Sequence, residues 1–295
     1  MTKISACIVT WNEEKNIERC IRSVSPHVDE IVLVDMSTDK ADKTTKIARA
    51  LGAKTFLHPY TGFVEPARNF SFQKSTGDWI FIIDADEEIP PSLGTQLKTL
   101  STENFNYYEI PRKNLIFNKF IQHTRFWPDY QTRFFQKGVL SWPNTIHSQP
   151  HLSGIGKKLD PNISNAIIHH HYSTVSEYIK RVDRYTNHQK EILLKNGYKF
   201  TWRDFIKKPT GEFLSRFYQG NGYKDGLHGL ALSLLQAFSE LVLYLKIWES
   251  EGFVSKETED FKRKSEAEIK TSIKSWRHWI GETGGLLEKI KSRLV

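Results

Sequence analysis

The sequence predicts an α/β fold: a mixed, mainly parallel sheet flanked by helices, followed by a helical C-terminal extension. Three observations predict it. Short β-branched runs alternate with segments of helical spacing over the first hundred residues or so. Those runs are continuously apolar, as strands buried on both faces must be. Polar residues also stand where the runs stop, at Thr10, Asp35 and Asp84, and in open parallel sheets ligands bind at the carboxyl ends of strands.

"KISACIVTW" reads as the first strand. The helix after it has apolar residues at Ile17, Cys20, Ile21 and Val24, with Asn12 as its expected N-cap. "EIVLVD" is a second buried strand ending at Asp35, and "ADKTTKIARALG" a helix closed by Gly52. "AKTFLHP" is a short strand, "FVEPARNFSFQKST" carries a helix, and "GDWIFIIDADEE" contains a fourth strand. From about residue 103 the pattern changes. "FNYYEIPRKNLIFNKFI" and "YQTRFFQKGVLSW" alternate with period two and are aromatic, which suggests antiparallel or mixed pairing. "NAIIHHHYS" is one more strand, the segment from Thr174 to Gly197 a helix, and the chain from Trp202 onward mainly helical. The expected division is a domain over 1–200, with halves 1–100 and 101–200, and a helical extension over 201–295.

The chain has 295 residues and a net charge of +8, which suggests an acidic partner: nucleic acid, anionic lipid or a phosphorylated substrate. Its two cysteines, Cys7 and Cys20, read as reduced and buried. The N-terminus lacks the apolar core of a signal peptide, and no stretch reads as a membrane span of about 18 residues or more. A cytoplasmic protein is expected.

The run "FIIDADEEIPP" drives a buried strand into a knot of carboxylates. Such charges repel and resist leaving water, so a positive partner is expected. Asp84 and Asp86, one residue apart past the strand, can aim at one divalent ion; hard oxygen ligands of this kind suit Mg²⁺ or Mn²⁺. The plainer reading is a solvated turn in which Glu87 or Glu88 caps the helix at Pro90. His147, His151 and the run His169 to His171 have no cysteines nearby and no H-E-x-x-H helix, which favours structural roles. His147 is also an alternative metal or phosphate contact. "LHGLALSLLQAFSELVLYLKIWE" is apolar over a wide face with a polar stripe of Ser233, Gln236 and Glu240. It is either a buried core helix or, with its basic and Trp-bearing neighbours, a contact for an anionic inner leaflet.

"ACIVTWNEEKNIERCIRSV", "DEIVLVDMSTDKADKTTKIARALGAK" and "ARNFSFQKSTGDWIFIIDADEEIPP" resemble the successive motifs of family 2 nucleotide-sugar glycosyltransferases of GT-A fold, with the likeness running toward bacterial enzymes of lipopolysaccharide-core and surface-glycan synthesis. "DYQTRFFQKGVLSWPNTIHSQP" is similar to a later stretch of the family. The resemblance implies that Thr10, Glu13 and Asp35 line the nucleotide and that Arg68 lies near the donor. It implies that Asp84 meets ribose or metal-bound water and that Asp86 ligates Mg²⁺ or Mn²⁺ on the diphosphate. The donor implied is a nucleotide-sugar, UDP-linked by preference, and the acceptor a glycan or lipid-linked sugar. The chain departs from the pattern at "DMSTDKADKT", which lacks a glycine, and at His147, which Ser148 follows where many relatives have Glu.

Inverting transfer needs a base for the acceptor hydroxyl, and Asp129 in "FWPDYQTRFF" is the candidate; otherwise it is a turn acid or the partner of Arg125 or Arg133. Arg133 would brace a phosphate or hold that acid. A rival enzyme reading is transfer to a polyprenyl phosphate, which needs no base. The non-enzyme rival, a basic nucleic-acid-binding protein, shows no RNA-binding motif, so no nucleic-acid partner is expected.

Overall fold

The computed structural model describes residues 2–61, 64–143, 150–255 and 259–284. The chain divides into two compact units, 1–115 with 127–171, and 116–126 with 172–295. The division falls at residue 172, not near residue 200. The long helix after the last strand buries Tyr178 and Val182 with Leu232 of a later helix, so it belongs with the C-terminal helices.

In the first unit the strands are β1 (Ile4–Thr10), β2 (Glu30–Asp35), β3 (Lys54–Leu57), β4 (Trp79–Ile82), β5 (Glu87–Glu88) and β6 (Tyr107–Ile116). β7 (Lys119–Phe120) lies in the second unit. Back in the first come β8 (Asp129–Gln136), β9 (Leu140–Ser141), β10 (His151–Leu152), β11 (Gly156–Lys158) and β12 (Ile167–Tyr172). The helices of the first unit are α1 (Ile17–Val24), α2 (Thr44–Ala50), α3 (Glu65–Lys74) and α4 (Pro91–Leu100).

The main sheet runs β3-β2-β1-β4-β8-β6-β12-β5. β3, β2, β1 and β4 are parallel; β8 is antiparallel to β4, and β6 to β8. This is the mixed, mainly parallel sheet that the sequence predicts. Successive side chains of a strand point to opposite faces. Ala6 and Ile8 of β1 therefore pack with Ile17 and Ile21 of α1 and Leu93 and Leu97 of α4, while Cys7 packs with Phe72 of α3 on the other face. The winding reverses at β1, with β2 on one side and β4 on the other, so the crevice expected to bind ligand lies at the carboxyl ends of β1 and β4.

Two local expectations change. α1 opens at Ile17 with Asn16 in the N-cap position, and Asn12 instead takes a left-handed φ of 56° in the turn that leaves β1, a conformation asparagine tolerates. No side chain caps α4, because Glu87 is drawn inward.

The second unit holds α5 (Val175–Lys195), α6 (Asp204–Leu214), α7 (Leu227–Ser250) and α8 (Phe261–Thr283). Thr174 and Glu177 form a reciprocal capping box on α5. α7 is long and apolar enough to cross a membrane by length and composition, contrary to the sequence reading. Its polar residues recur only about once per turn, and those of its middle turns, Ser233 and Gln236, face inward. Ser233 is buried and donates to the Gly229 carbonyl, and Gln236 donates to Tyr178 Oη at 2.9 Å. The exposed large apolar residues are Leu227, Leu234, Phe238 and Leu245, which at 100° per residue form one stripe, with exposed Glu249 at its C-terminal end.

Candidate active site

The register of β1 against β2 sets Thr10 opposite Asp35. Thr10 Oγ1 donates to Asp35 Oδ1 at 2.8 Å, and Ser37 Oγ donates to the same oxygen at 2.6 Å. Glu13 follows in the loop, where its carboxylate accepts from Asn16 Nδ2 at 2.9 Å. Beside them the Trp11 and Tyr60 rings stack with centroids 5.1 Å apart, though they are 37% and 44% exposed. The sequence reading did not single out this pair. An aromatic directly after a strand end was the available signal for Trp11; nothing local marked Tyr60.

The positive partner of the acidic knot is, first, arginine. Arg68 Nη2 reaches Asp84 Oδ1 at 2.7 Å and Arg133 Nη2 reaches Asp84 Oδ2 at 2.7 Å. Burial opposes ionisation of Asp84, but Arg133 and Arg68 outweigh it and hold the carboxyl well below the usual carboxylate range. Glu87 is fully buried and accepts from Arg133 at 2.6 Å and Arg112 at 3.1 Å.

Asp129 has partners other than those expected. Arg112 Nη2 and Nε meet its Oδ2 at 2.6 and 3.0 Å, Asn114 Nδ2 donates to the same oxygen at 3.1 Å, and Gln131 Nε2 donates to Oδ1 at 3.0 Å. Burial opposes its ionisation, yet Arg112 and these amides keep its carboxyl below the ordinary value. Arg133 is committed to Asp84 and Glu87, and Arg125 to Ser215 and Gln219 of the second unit. So held, Asp129 is suited to fixing Arg112 and Asn114 rather than to accepting a proton.

Asn114 passes this order on. Its amide nitrogen serves Asp129, so its Oδ1 accepts from His169 Nδ1 at 2.6 Å. With Nδ1 given to Asn114, Nε2 is the ring nitrogen left to face Asp86 Oδ2, at 3.5 Å. Two electron-pair donors that face one another suit a cation, and a histidine held through its other nitrogen is the usual form of a metal ligand. Among the described residues no group of three or more His, Cys, Asp or Glu is arranged to hold a metal. The pair fits an ion that takes its remaining ligands from water and phosphate, as Mg²⁺ does. The role expected of His147 lies outside the described residues. His169 went unrecognised because a run of three histidines does not say which one faces the site.

A cavity of about 560 Å³ adjoins the knot, lined in part by Glu65, Arg68, Glu109, Gln131, Arg133 and Trp142. Arg68 lies 5.1 Å over the Trp142 ring, and Trp142 is pinned by paired hydrogen bonds with Asn69. Three buried polar atoms of the lining have no partner: Arg68 Nε, Arg133 Nε and Glu65 Oε2.

Comparison with known proteins gives a consistent likeness. The sequence profile of glycosyl transferase family 2 matches residues 5–161. An uncharacterized glycosyltransferase of Rickettsia felis is 30% identical over 260 residues, 85% of this chain and 91% of that protein. Another, from Rickettsia bellii, is 31% identical over 258 residues, 84% of this chain and 86% of its own length. Among solved structures, S. aureus TarS matches 80% of this chain and 54% of its own at 16% identity, with a TM-score of 0.43.

Proposed function

The chain belongs to glycosyl transferase family 2, and from that premise we propose that it moves a sugar, with inversion, from a nucleotide-sugar to a surface-glycan or lipid-linked acceptor. Its mixed sheet with flanking helices is of the GT-A kind. One observation carries the reading furthest. Arg68 and Arg133, both bound to Asp84, line one cavity and each keeps a buried Nε–H without a partner. A buried unpaired donor is costly. The oxygens of a diphosphate satisfy guanidinium groups with charge-assisted bonds.

Around that point the residues divide the work. Asp35, with Thr10 and Ser37, presents a fixed carboxylate to the base and ribose, and the Trp11–Tyr60 platform offers a stacking face. Glu13 lines the same rim. Asp86 and His169 would hold Mg²⁺ or Mn²⁺, which when bound neutralises charge on the leaving diphosphate. Asp84 orients Arg68 and Arg133, and Asp129 orients Asn114 and, through it, His169.

The acceptor's location is part of the same reading. The first unit carries 18 Lys and Arg against 18 Asp and Glu, whereas the second carries 24 against 16, so the whole net charge of +8 lies in the helical unit. That unit exposes the α7 stripe and a second one on α8, of Ile269, Ile273, Trp276 and Ile280. Lys270, Lys274 and Arg277 flank the second stripe, with no acidic partner among the described residues. Apolar stripes edged with basic residues fit the face of an anionic membrane.

Thermal unfolding with a panel of nucleotide-sugars, with and without Mn²⁺, tests the assignment. A true donor at about 100 times its Kd adds about 2.7 kcal/mol, and the gain should require the metal. No stabilisation by any nucleotide-sugar, together with no transfer, would overturn it.

A further inference from the structure

We propose that Glu65 is the base of the reaction: its carboxylate takes the proton of an acceptor sugar hydroxyl inside the cavity beside Arg68 and Arg133. The proposal rests on the transferase reading above. Among the described residues near that cavity, four other carboxylates are engaged by cations, and Asp86 faces His169 at the proposed metal position. Asp84 and Glu87 are held by arginines, Asp129 by Arg112, and Glu109 by Lys158 at 3.1 Å. Glu65 lines the cavity at 9% exposure, and its Oε2 has no hydrogen-bond partner. It opens α3, and Arg68 follows three residues later, a spacing that sets both side chains on one face of the helix. The helix thus brings a free carboxylate and a diphosphate-binding guanidinium to the same cavity.

A plainer role exists, because an acid in the first turn of a helix favours the helix dipole. That role works at the surface, with both oxygens in water. It gives no reason to bury one oxygen unpaired against a cavity, at a cost to the fold.

In the step proposed, the acceptor oxygen forms its bond to the anomeric carbon as Glu65 Oε2 takes the hydroxyl proton. The bond from that carbon to the diphosphate oxygen breaks, and its electron pair leaves with the nucleoside diphosphate. Protonated Glu65 then returns the proton to solvent.

Two measurements on the full-length protein test this. The first needs no ligand. Glu65→Gln replaces a carboxylate whose buried Oε2 has no partner by a less strongly hydrated amide, so its melting temperature should rise by about 2 °C; a fall of that size would show a structural role and overturn the proposal. The second follows donor turnover, with water as acceptor, for UDP-glucose, UDP-galactose, UDP-N-acetylglucosamine and GDP-mannose in turn. Glu65→Gln should lower turnover about a hundredfold or more while donor affinity stays within about twofold. Glu65→Asp should restore part of it, and the acid limb of the wild-type pH profile should vanish in Glu65→Gln. Turnover within about threefold of wild type in Glu65→Gln rejects Glu65 as base and leaves the transferase standing. Wild-type protein that turns over none of these donors and gains no Mn²⁺-dependent stability from any nucleotide-sugar rejects the transferase reading itself, and this inference with it.

Discussion

Arg112 and Asp129 are register partners across β6 and β8, and their side chains close to 2.6 Å. The contact holds Asp129 as an ionised anchor. Asp129→Asn should therefore lower turnover by less than about tenfold and leave the acid limb of the pH profile in place, where loss of a general base costs about 10²–10⁴. A kinetic pH profile of that variant decides the matter: a larger loss with the acid limb gone would return the proton-accepting role to Asp129.

Arg133 carries a heavier structural load. Its side chain is 4% exposed and it bonds Asp84 and the fully buried Glu87 at once. Removing one partner of a buried ionic cluster leaves uncompensated charge, typically at 3–5 kcal/mol. Arg133→Met should lower the urea midpoint accordingly. Arg68→Met, at the more open end of the cluster, should cost less stability and more donor affinity. Equal midpoints for Arg133→Met and wild type would contradict the network.

Asp86→Asn should abolish the stabilisation that Mn²⁺ with UDP gives, at near-unchanged melting temperature without ligand. His169→Ala should weaken it in the same assay. Asn114→Ala should weaken it about 10–100-fold, as losing a residue that orients a metal ligand does. Full Mn²⁺-dependent stabilisation in Asp86→Asn would remove the metal from this position.

How much of this could be read from the sequence follows from what each signal depends on. "EIVLVD" predicts its strand because all six residues are buried whatever their neighbours are, and the same run fixes Asp35 at the rim. Asp84 is legible for the same reason. Arg112, Asn114 and His169 are not, since their partners are set by cross-strand register: Arg112 against Asp129, and His169 against Glu87. A period-two pattern leaves register free, and a shift of one residue would turn each side chain to the other face. The outward stripe of α7 was hidden differently. Composition gives the apolar face but not its direction, and here Ser233 and Gln236 find their hydrogen bonds inside.

Glu30, at the start of β2, gives the fold a pH dependence. It accepts from Ser5 Oγ at 2.7 Å, Lys54 Nζ at 2.6 Å and Thr76 N–H at 2.6 Å. Burial raises its pKa, but the bonds from Lys54, Ser5 and Thr76 outweigh this and lower it to about 2. A carboxyl depressed on folding stabilises fully above its unfolded value, near 4.5, and that contribution disappears as pH falls through about 2. Glu30→Gln should therefore be less stable than wild type by about 1–3 kcal/mol at pH 7, and the gap should close between pH 4.5 and 2. Urea midpoints at pH 7, 4 and 2.5 measure it; a gap unchanged at pH 2.5 would show that the charge plays no part.

The last prediction concerns the helical unit. If α7 and α8 lie on an anionic bilayer, wild-type protein should float with phosphatidylglycerol-containing vesicles and not with pure phosphatidylcholine. Binding should fall as salt rises, because screening shortens the reach of lysine and arginine. Neutralising Lys270, Lys274 and Arg277 to Gln should weaken it by about 3 kcal/mol in all, at about 1 kcal/mol per basic residue near the surface. Leu234→Glu separates this from burial inside the protein. Leu234 is 52% exposed on the outward stripe, so the substitution should leave the melting curve intact and abolish flotation. Unfolding by Leu234→Glu would mean that the stripe is covered. A concentration-dependent dimer that Leu234→Glu dissolves, with no flotation of wild type, would identify the cover as a second copy of the chain. The basic flank favours lipid over that dimer: a symmetric contact along α8 would bring Lys270, Lys274 and Arg277 toward their own copies, with no acidic partner among the described residues to offset the repulsion.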